Sequence, residues 1–197
     1  MSEKVTIGWP DERPQAEPDP AGWLCTDTKR NLDKCLADNP KTIVEIGSWL
    51  GKSSRYLADN SDAIIYCLDT WKGSKEHHHP KHAHKLPLLW ETYCVNNWHL
   101  KERIIPIRGM SIDGLEHLYR EGIDVDFFYV DGSHEYEDVI ADLRYINQHW
   151  PKAKIVGDDY KWSGVQSAVH QFAKESKRRM WVQGQKSWAF LNDEVQL

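Results

Sequence analysis

Short apolar runs alternate along the chain with longer stretches in which apolar residues recur every three or four positions. The runs are TIVEIGS (42–48), AIIYCLD (63–69), RIIPIRG (103–109), VDFFYVDG (125–132) and KIVGDD (154–159). Their lengths and β-branched or aromatic content predict strands buried on both faces of a parallel sheet. Residues 53–60, 86–100, 111–121 and 135–150 read as helices between them. In the last, Val139, Leu143, Ile146 and Trp150 fall at i, i+4, i+7 and i+11, which lays one stripe against a sheet. An earlier helix starts at Thr26 or Asp27 and ends at Asp38-Asn39-Pro40. Ser163-Gly-Val-Gln166 has the form of a capping box, opening a helix with Val165, Val169 and Phe172 on its inner face. MWVQG and SWAFLN (180–192) then read as two strands joined by a tight turn.

Five β-α alternations closed by a hairpin predict an α/β fold: a doubly wound, mostly parallel seven-stranded sheet with a C-terminal antiparallel hairpin. Residues 1–22, with prolines among charged residues, read as an extended arm or flap rather than a packed element, and 23–197 as the folded domain. Ligands of such sheets lie beyond the carboxyl ends of the strands, near the point where strand order reverses. The residues at the strand tips are therefore the candidates for chemistry.

At 197 residues and 40% hydrophobic content the chain matches one domain with a single substantial core. A formal charge of −5 and a pI near 6.0 give no basic footprint, which argues against nucleic acid as a partner. The one basic cluster, 174–179, reads as a solvated helix end. Cys25, Cys35, Cys67 and Cys94 are far apart and form no CxxC pair, so neither a disulfide framework nor a structural zinc site is expected. No apolar run reaches the roughly 18 residues that span a bilayer. The expectation is a soluble cytoplasmic protein without a membrane partner; a homo-oligomer stays open.

IGSWLGKSS (46–54) first suggests a phosphate loop. A triphosphate loop needs four residues between its first glycine and the Gly-Lys-Ser, whereas Gly47 and Gly51 are separated by three. The dinucleotide pattern GxGxxG fails too, because Trp49 stands where a pyrophosphate must approach the backbone. What remains is Glu45-x-Gly47-x-x-x-Gly51, a strand-to-helix turn with an acid that suits a cationic head and repels phosphate. Asp69 follows Gly47 by 22 positions, close to the roughly 20-residue offset at which an acid takes ribose hydroxyls. The ligand reads as nucleoside-like and without phosphate.

Two further tips carry acids: Asp131 in YVDGSH (129–134), and Asp158 and Asp159 in VGDDY (156–160). Adjacent carboxylates facing one cleft need a cation or shifted pKa values. Oxygen ligands from rigid strand tips suit Mg²⁺ or another hard divalent ion. Asp158 also reads as a loop carboxylate or helix cap, and Asp131 as a cofactor neighbour.

These motifs resemble those of class I S-adenosylmethionine (SAM) methyltransferases, with their Rossmann-like sheet, over residues 40–192. The resemblance implies a turn around the donor's methionine moiety at Glu45, Gly47, Ser48, Gly51 and Ser53. It puts Asp69 on the ribose, and Trp71 and Ser111 at the adenine edge. DGSH-x-Y followed by DDY is similar to a metal-dependent O-methyltransferase subset that includes sugar O-methyltransferases. That likeness implies metal ligands at Asp131, Asp158 and Asp159, with Asp131 part of the catalytic site and His134 as general base. His134 also reads as a helix cap or cofactor contact. Base catalysis agrees with the chemistry, since an alcohol is a poor nucleophile at neutral pH and an imidazole near pKa 6.5 can take its proton.

The implied activity is methyl transfer to a hydroxyl of a small molecule or glycan, a sugar first and a catechol-like phenol second. The rivals are a P-loop-like kinase or NTPase using Gly51-Lys52-Ser53, and a non-catalytic SAM-binding scaffold. The His-rich segment 77–84 has five imidazoles in eight residues; it reads as a solvated loop that hangs over the site and shapes the acceptor pocket. Of the tryptophans beside motif residues, Trp71 or Trp162 is expected to stack on the acceptor.

Overall fold

The computed structural model describes residues 5–191. In chain order the elements are β1 (Thr6–Ile7), α1 (Thr26–Leu36), β2 (Thr42–Ile46), α2 (Lys52–Asp59), β3 (Ile64–Asp69), α3 (Pro80–Ala83), α4 (Leu89–Asn97) and β4 (Ile104–Arg108). They continue with α5 (Ser111–Arg120), β5 (Phe127–Val130), α6 (Tyr136–His149), β6 (Lys154–Gly157), α7 (Ser163–Ser176), β7 (Met180–Gln183) and β8 (Ser187–Phe190). All strands among the described residues join one sheet in the order β1-β4-β3-β2-β5-β6-β8-β7. The five from β4 to β6 are parallel, while β8, β7 and β1 run antiparallel to their neighbours.

The α/β sheet and its terminal hairpin match the expectation, with one strand more than the seven predicted. The extra strand comes from the arm. Thr6 and Ile7 pair with Arg108 and Ile107, and Gly8 N–H donates to the Pro106 carbonyl at 2.8 Å. Trp9 then stacks on Tyr93 at 6.0 Å and gives its indole N–H to the Ile104 carbonyl at 2.7 Å. The arm is thus packed, which corrects the flap reading. An extended, proline-restricted chain loses little entropy on ordering and covers an edge that would otherwise expose unpaired carbonyls.

The alternation of the strands decides what each face buries. Val44, Phe128, Val130 and Ile155 enter the core under α5, α6 and α7, whereas Ile43, Phe127, Tyr129 and Val156 enter the core under α1, α2 and α4. Neighbours in sequence therefore serve opposite cores, which is why these runs are apolar throughout. Each such side chain contributes roughly 1.5–3 kcal/mol by leaving water.

Two helix expectations shift in detail. The helix expected over 86–100 is α at Leu89–Asn97 only, with 3₁₀ turns at Leu86–Leu88 and Trp98–Leu100. Pro87 has no N–H to continue an α ladder. Ser163 does not cap α7; it is the first helical residue, and Trp162 holds the capping position without a side-chain bond. Asn192, expected to end the last strand, lies outside the described residues.

The chain leaves β2 toward β3 and β4, then returns to lay β5 on the other side of β2. Strand order therefore reverses between the tips of β2 and β5, where Gly47 and Asp131 sit.

Candidate active site

The turn after β2 and the turn after β5 touch through their backbones. Gly47 has φ +89°, and a methyl there would run into the Asp131 carbonyl oxygen, so only glycine permits this approach. The ladder continues past the strand ends, with Asp131 N–H on the Ile46 carbonyl and Gly47 N–H on the Leu68 carbonyl, both at 2.8 Å. The two motif segments are thereby fixed side by side.

Asp69, at the tip of β3, organises this turn. Its Oδ2 accepts the amide N–H groups of Ser48 at 2.9 Å and Trp49 at 2.8 Å, and its Oδ1 accepts that of Trp71 at 2.7 Å. Trp49 and Trp71 have φ of +49° and +48°, a region bulky residues avoid at a cost of about 1–3 kcal/mol each. One carboxylate holds both strained residues. Burial pushes Asp69 above the usual carboxylate range, against the pull of the N–H groups around it.

Glu45 lies fully buried beneath the turn. Its Oε2 accepts the hydroxyls of Ser48, at 2.6 Å, and of Ser54. Burial raises its pKa. Glu45 thus supports the turn from inside through Ser48 and Ser54, and Ser53 is buried beside it. Gly51 has φ +79°, and the neighbour that forbids a side chain there is the Asn97 amide, so its close approach is to α4. Lys52, the residue a phosphate loop would use, donates through Nζ to the Gly22 carbonyl at 2.9 Å.

The adenine-edge candidates fare differently. Trp71 is 4% exposed, rests on Trp90 and Tyr93, and gives its indole N–H to the Trp49 carbonyl at 3.0 Å. It is a core residue with no face left for adenine or acceptor, which corrects the expectation. Ser111 opens α5 and donates to Asp142 Oδ1 at 2.6 Å; burial pushes Asp142 up to about 7.

At the neighbouring tips His134 and Asp159 come together: Nε2 lies 2.7 Å from Oδ2. Asp159 adopts φ +57°, a left-handed turn that aims its carboxylate at the imidazole. The far face of the pair is closed by Trp162, whose ring is parallel to that of His134 within 15° at 4.4 Å.

The acids do not assemble into the expected metal site. Asp131 Oδ2 accepts the Tyr129 hydroxyl at 2.9 Å; Asp158 Oδ2 accepts Thr28 Oγ1 at 2.7 Å and its Oδ1 the Asp159 N–H at 2.8 Å. Asp159 serves His134. Among the described residues no group of three or more His, Cys, Asp or Glu side chains is arranged to hold a metal ion. The donor set as it stands is not arranged for Mg²⁺, because both oxygens of Asp158 and one oxygen each of Asp131 and Asp159 are engaged by protein groups instead. The acids still feel one another: burial first, then Asp158 and Asp159, push Asp131 well above the usual range.

Tyr129, Thr28 and Asn97 were not foreseen. Only Tyr129 left a signal, since residues two apart in a strand face the same side.

The His-rich loop is more ordered than a solvated segment. His77 stacks on Trp49 at 3.9 Å, and Trp23 of the arm packs against Trp49, His77 and His82. Lys75 Nζ reaches Glu135 Oε1 at 2.7 Å, which ties this loop to the turn after β5.

Residues 44–160 match a family model described as a methyltransferase domain. The chain belongs to that family. The matched segment runs from β2 through both acidic tips, so it contains the turn and the His134–Asp159 pair. A search of curated proteins finds no match. Among solved structures, SAH-bound methyltransferase PaMTH1 of Podospora anserina aligns with TM-score 0.60 at 14% identity, over 87% of this chain and 80% of that one. The SAH complex of an O-methyltransferase from Bacillus cereus gives 0.59 at 18%, over 87% and 83%. A TDP-rhamnose 3'-O-methyltransferase of calicheamicin biosynthesis gives 0.56 at 16%, over 84% and 77%. These likenesses establish the methyltransferase fold. Nothing among them favours the kinase alternative. Among the described residues no helix is long and apolar enough to cross a membrane.

Proposed function

We propose that this chain is a SAM-dependent O-methyltransferase acting on a hydroxyl of a small molecule or glycan, with a sugar first and a catechol-like phenol second. The observation that carries the reading is the backbone contact of Gly47 with Asp131, which sets a donor turn beside a His–Asp pair at the reversal point of the sheet. SAH in the Podospora and Bacillus structures and the sugar substrate of the calicheamicin enzyme support it by analogy.

In this reading the donor lies along 47–51. Asp69 keeps the turn in shape and meets the ribose, and Ser111 borders the adenine. The acceptor oxygen attacks the donor's methyl carbon, the C–S bond breaks, and its electron pair stays on sulfur as the thioether. The hydroxyl proton passes to the His134–Asp159 pair, whose shared hydrogen lies between Nε2 and a carboxylate oxygen. Asp159 thereby fixes the tautomer and stabilises the imidazolium. Asp131, whose pKa is raised by burial and then by Asp158 and Asp159, borders the reacting centre.

A second reading adds Mg²⁺ at Asp131, Asp158 and Asp159. It is favoured by the raised pKa values of Asp131 and Asp158, lifted first by burial and then by neighbouring acids, which a cation would relieve. It requires Asp159 to leave His134 and Asp158 to leave Thr28.

Transfer of a labelled methyl group from SAM to a panel of sugars and catechols, with EDTA or with Mg²⁺, tests both. Product in EDTA supports the His–Asp reading. Product only with Mg²⁺ supports the second, and none with any hydroxyl acceptor overturns O-methylation.

A further inference from the structure

Asp159 stands in a backbone shape that its residue type does not favour. At φ +57° it is left-handed, and a residue other than glycine stays there only where its surroundings hold it. The peptide groups on either side are pinned. Its N–H donates to Asp158 Oδ1 at 2.8 Å, and its carbonyl accepts the Trp162 N–H at 2.9 Å. The Asp158 carbonyl takes the indole N–H of Trp188 at 2.9 Å, and Tyr160 N–H donates to the Lys186 carbonyl at 2.8 Å.

Two of these partners are backbone groups, and Trp188 is fully buried in β8. The Asp158 carboxylate is the partner that a side-chain rotation can withdraw. Its other oxygen, Oδ2, accepts the hydroxyl of Thr28 at 2.7 Å. Thr28 is fully buried in the first turn of α1, where valine would have the same outline without a polar atom to satisfy. The helix that carries it is anchored at the same strand tip. Three positions on, and so on the same face, Asn31 Nδ2 donates to Ser187 Oγ at 2.9 Å, and that hydroxyl donates to the Gly157 carbonyl at 2.9 Å.

We propose that Thr28 is a positioning residue for the His134–Asp159 pair. Its hydroxyl fixes the Asp158 carboxylate, which fixes the Asp159 amide. That amide keeps Asp159 in the turn that brings its Oδ2 within 2.7 Å of His134 Nε2. Without the hydroxyl, a carboxylate that is only 9% exposed loses a donor and turns to replace it, and the Asp159 N–H is left unpaired. Asp159 then relaxes out of the left-handed region and away from the imidazole. This rests on the His–Asp reading above.

The test is single-turnover transfer of a labelled methyl group from SAM to catechol and to methyl β-D-glucopyranoside, in EDTA. Wild type, T28V, T28S, D159N and T28V/D159N are compared, with T28A as a second hydroxyl-free variant should T28V not fold. T28V should slow transfer about tenfold, the worth of one net hydrogen bond, and T28S should restore it to within about threefold of wild type. SAH affinity by calorimetry should stay within about threefold throughout. Because Thr28 acts through Asp159, T28V should add nothing in the D159N background, whereas a merely structural loss recurs there. The proposal is overturned if the hydroxyl-free variant is as fast as wild type, if T28S is as slow as T28V, or if the loss recurs in D159N. It is also overturned if T28V is faster than wild type with Mg²⁺, which would make the Thr28 bond a lock on a metal ligand. A wild type that transfers to neither probe in EDTA overturns the His–Asp reading itself, and this proposal with it.

Discussion

Oδ2 of Asp69 accepts the amide N–H of Trp49 at 2.8 Å, so the acid at the tip of β3 holds the turn at the tip of β2 in its strained shape. The acid expected to bind ribose is also part of the scaffold. Asp69→Ala should therefore lower the melting temperature and weaken SAH binding together. Each lost amide partner leaves a buried donor unsatisfied, at about 1–3 kcal/mol. Thermal melts with calorimetry check this; weaker binding at an unchanged melting temperature would reduce Asp69 to a ligand contact.

Gly51 meets Asn97 where a ligand contact was expected. Gly51→Ala combines a clash with positive φ and should destabilise the protein by roughly 2 kcal/mol or more. Adding Asn97→Ala removes the clash and leaves the strain, so only part of the loss should return. Urea denaturation measures both, and a neutral Gly51→Ala would refute the close approach.

Asp142 gives a pH dependence of stability. Burial raises its folded pKa to about 7 from the ordinary value of 3.8, so the folded state disfavours its charge. Its contribution is fully present below about pH 4 and is lost as pH rises through 7. Asp142→Asn keeps an acceptor for Ser111 and removes the charge. It should melt higher than wild type at pH 8, with the gap closing as pH falls toward 4. A gap that widens on acidification would contradict this.

His134→Ala and Asp159→Asn should each reduce turnover by about 10²–10⁴-fold, the range for a positioned general base, with SAH affinity changed only a few-fold. Single-turnover kinetics alongside calorimetry separate the two effects. Full activity in His134→Ala would remove the base from the account.

The fold was legible because its information is local. Apolar runs such as 127–130 announce a strand buried on both faces, and the offset from Gly47 to Asp69 marks the first two tips. The site was legible as a set of positions and less so as a set of contacts. Asp69 binds backbone amides, which any sequence supplies, so no side-chain pattern marks that role. Thr28 reaches Asp158 across 130 positions, and that partner diverts a carboxylate from the expected metal site. Trp71 looked like a ligand platform by its place after the motif acid, but Trp90 and Tyr93 from α4 close over it. The packed arm escaped notice because prolines mark extended chain without saying whether an edge strand waits beside it.

The central claim is that the turn 47–51, braced by Asp69, binds a sulfonium donor or its thioether product. Calorimetric titration of the wild-type protein with SAH, with ATP and Mg²⁺ as the comparison ligand, tests it most directly. The account predicts saturable one-to-one binding of SAH and no heat from ATP. Binding of ATP with none of SAH would contradict it.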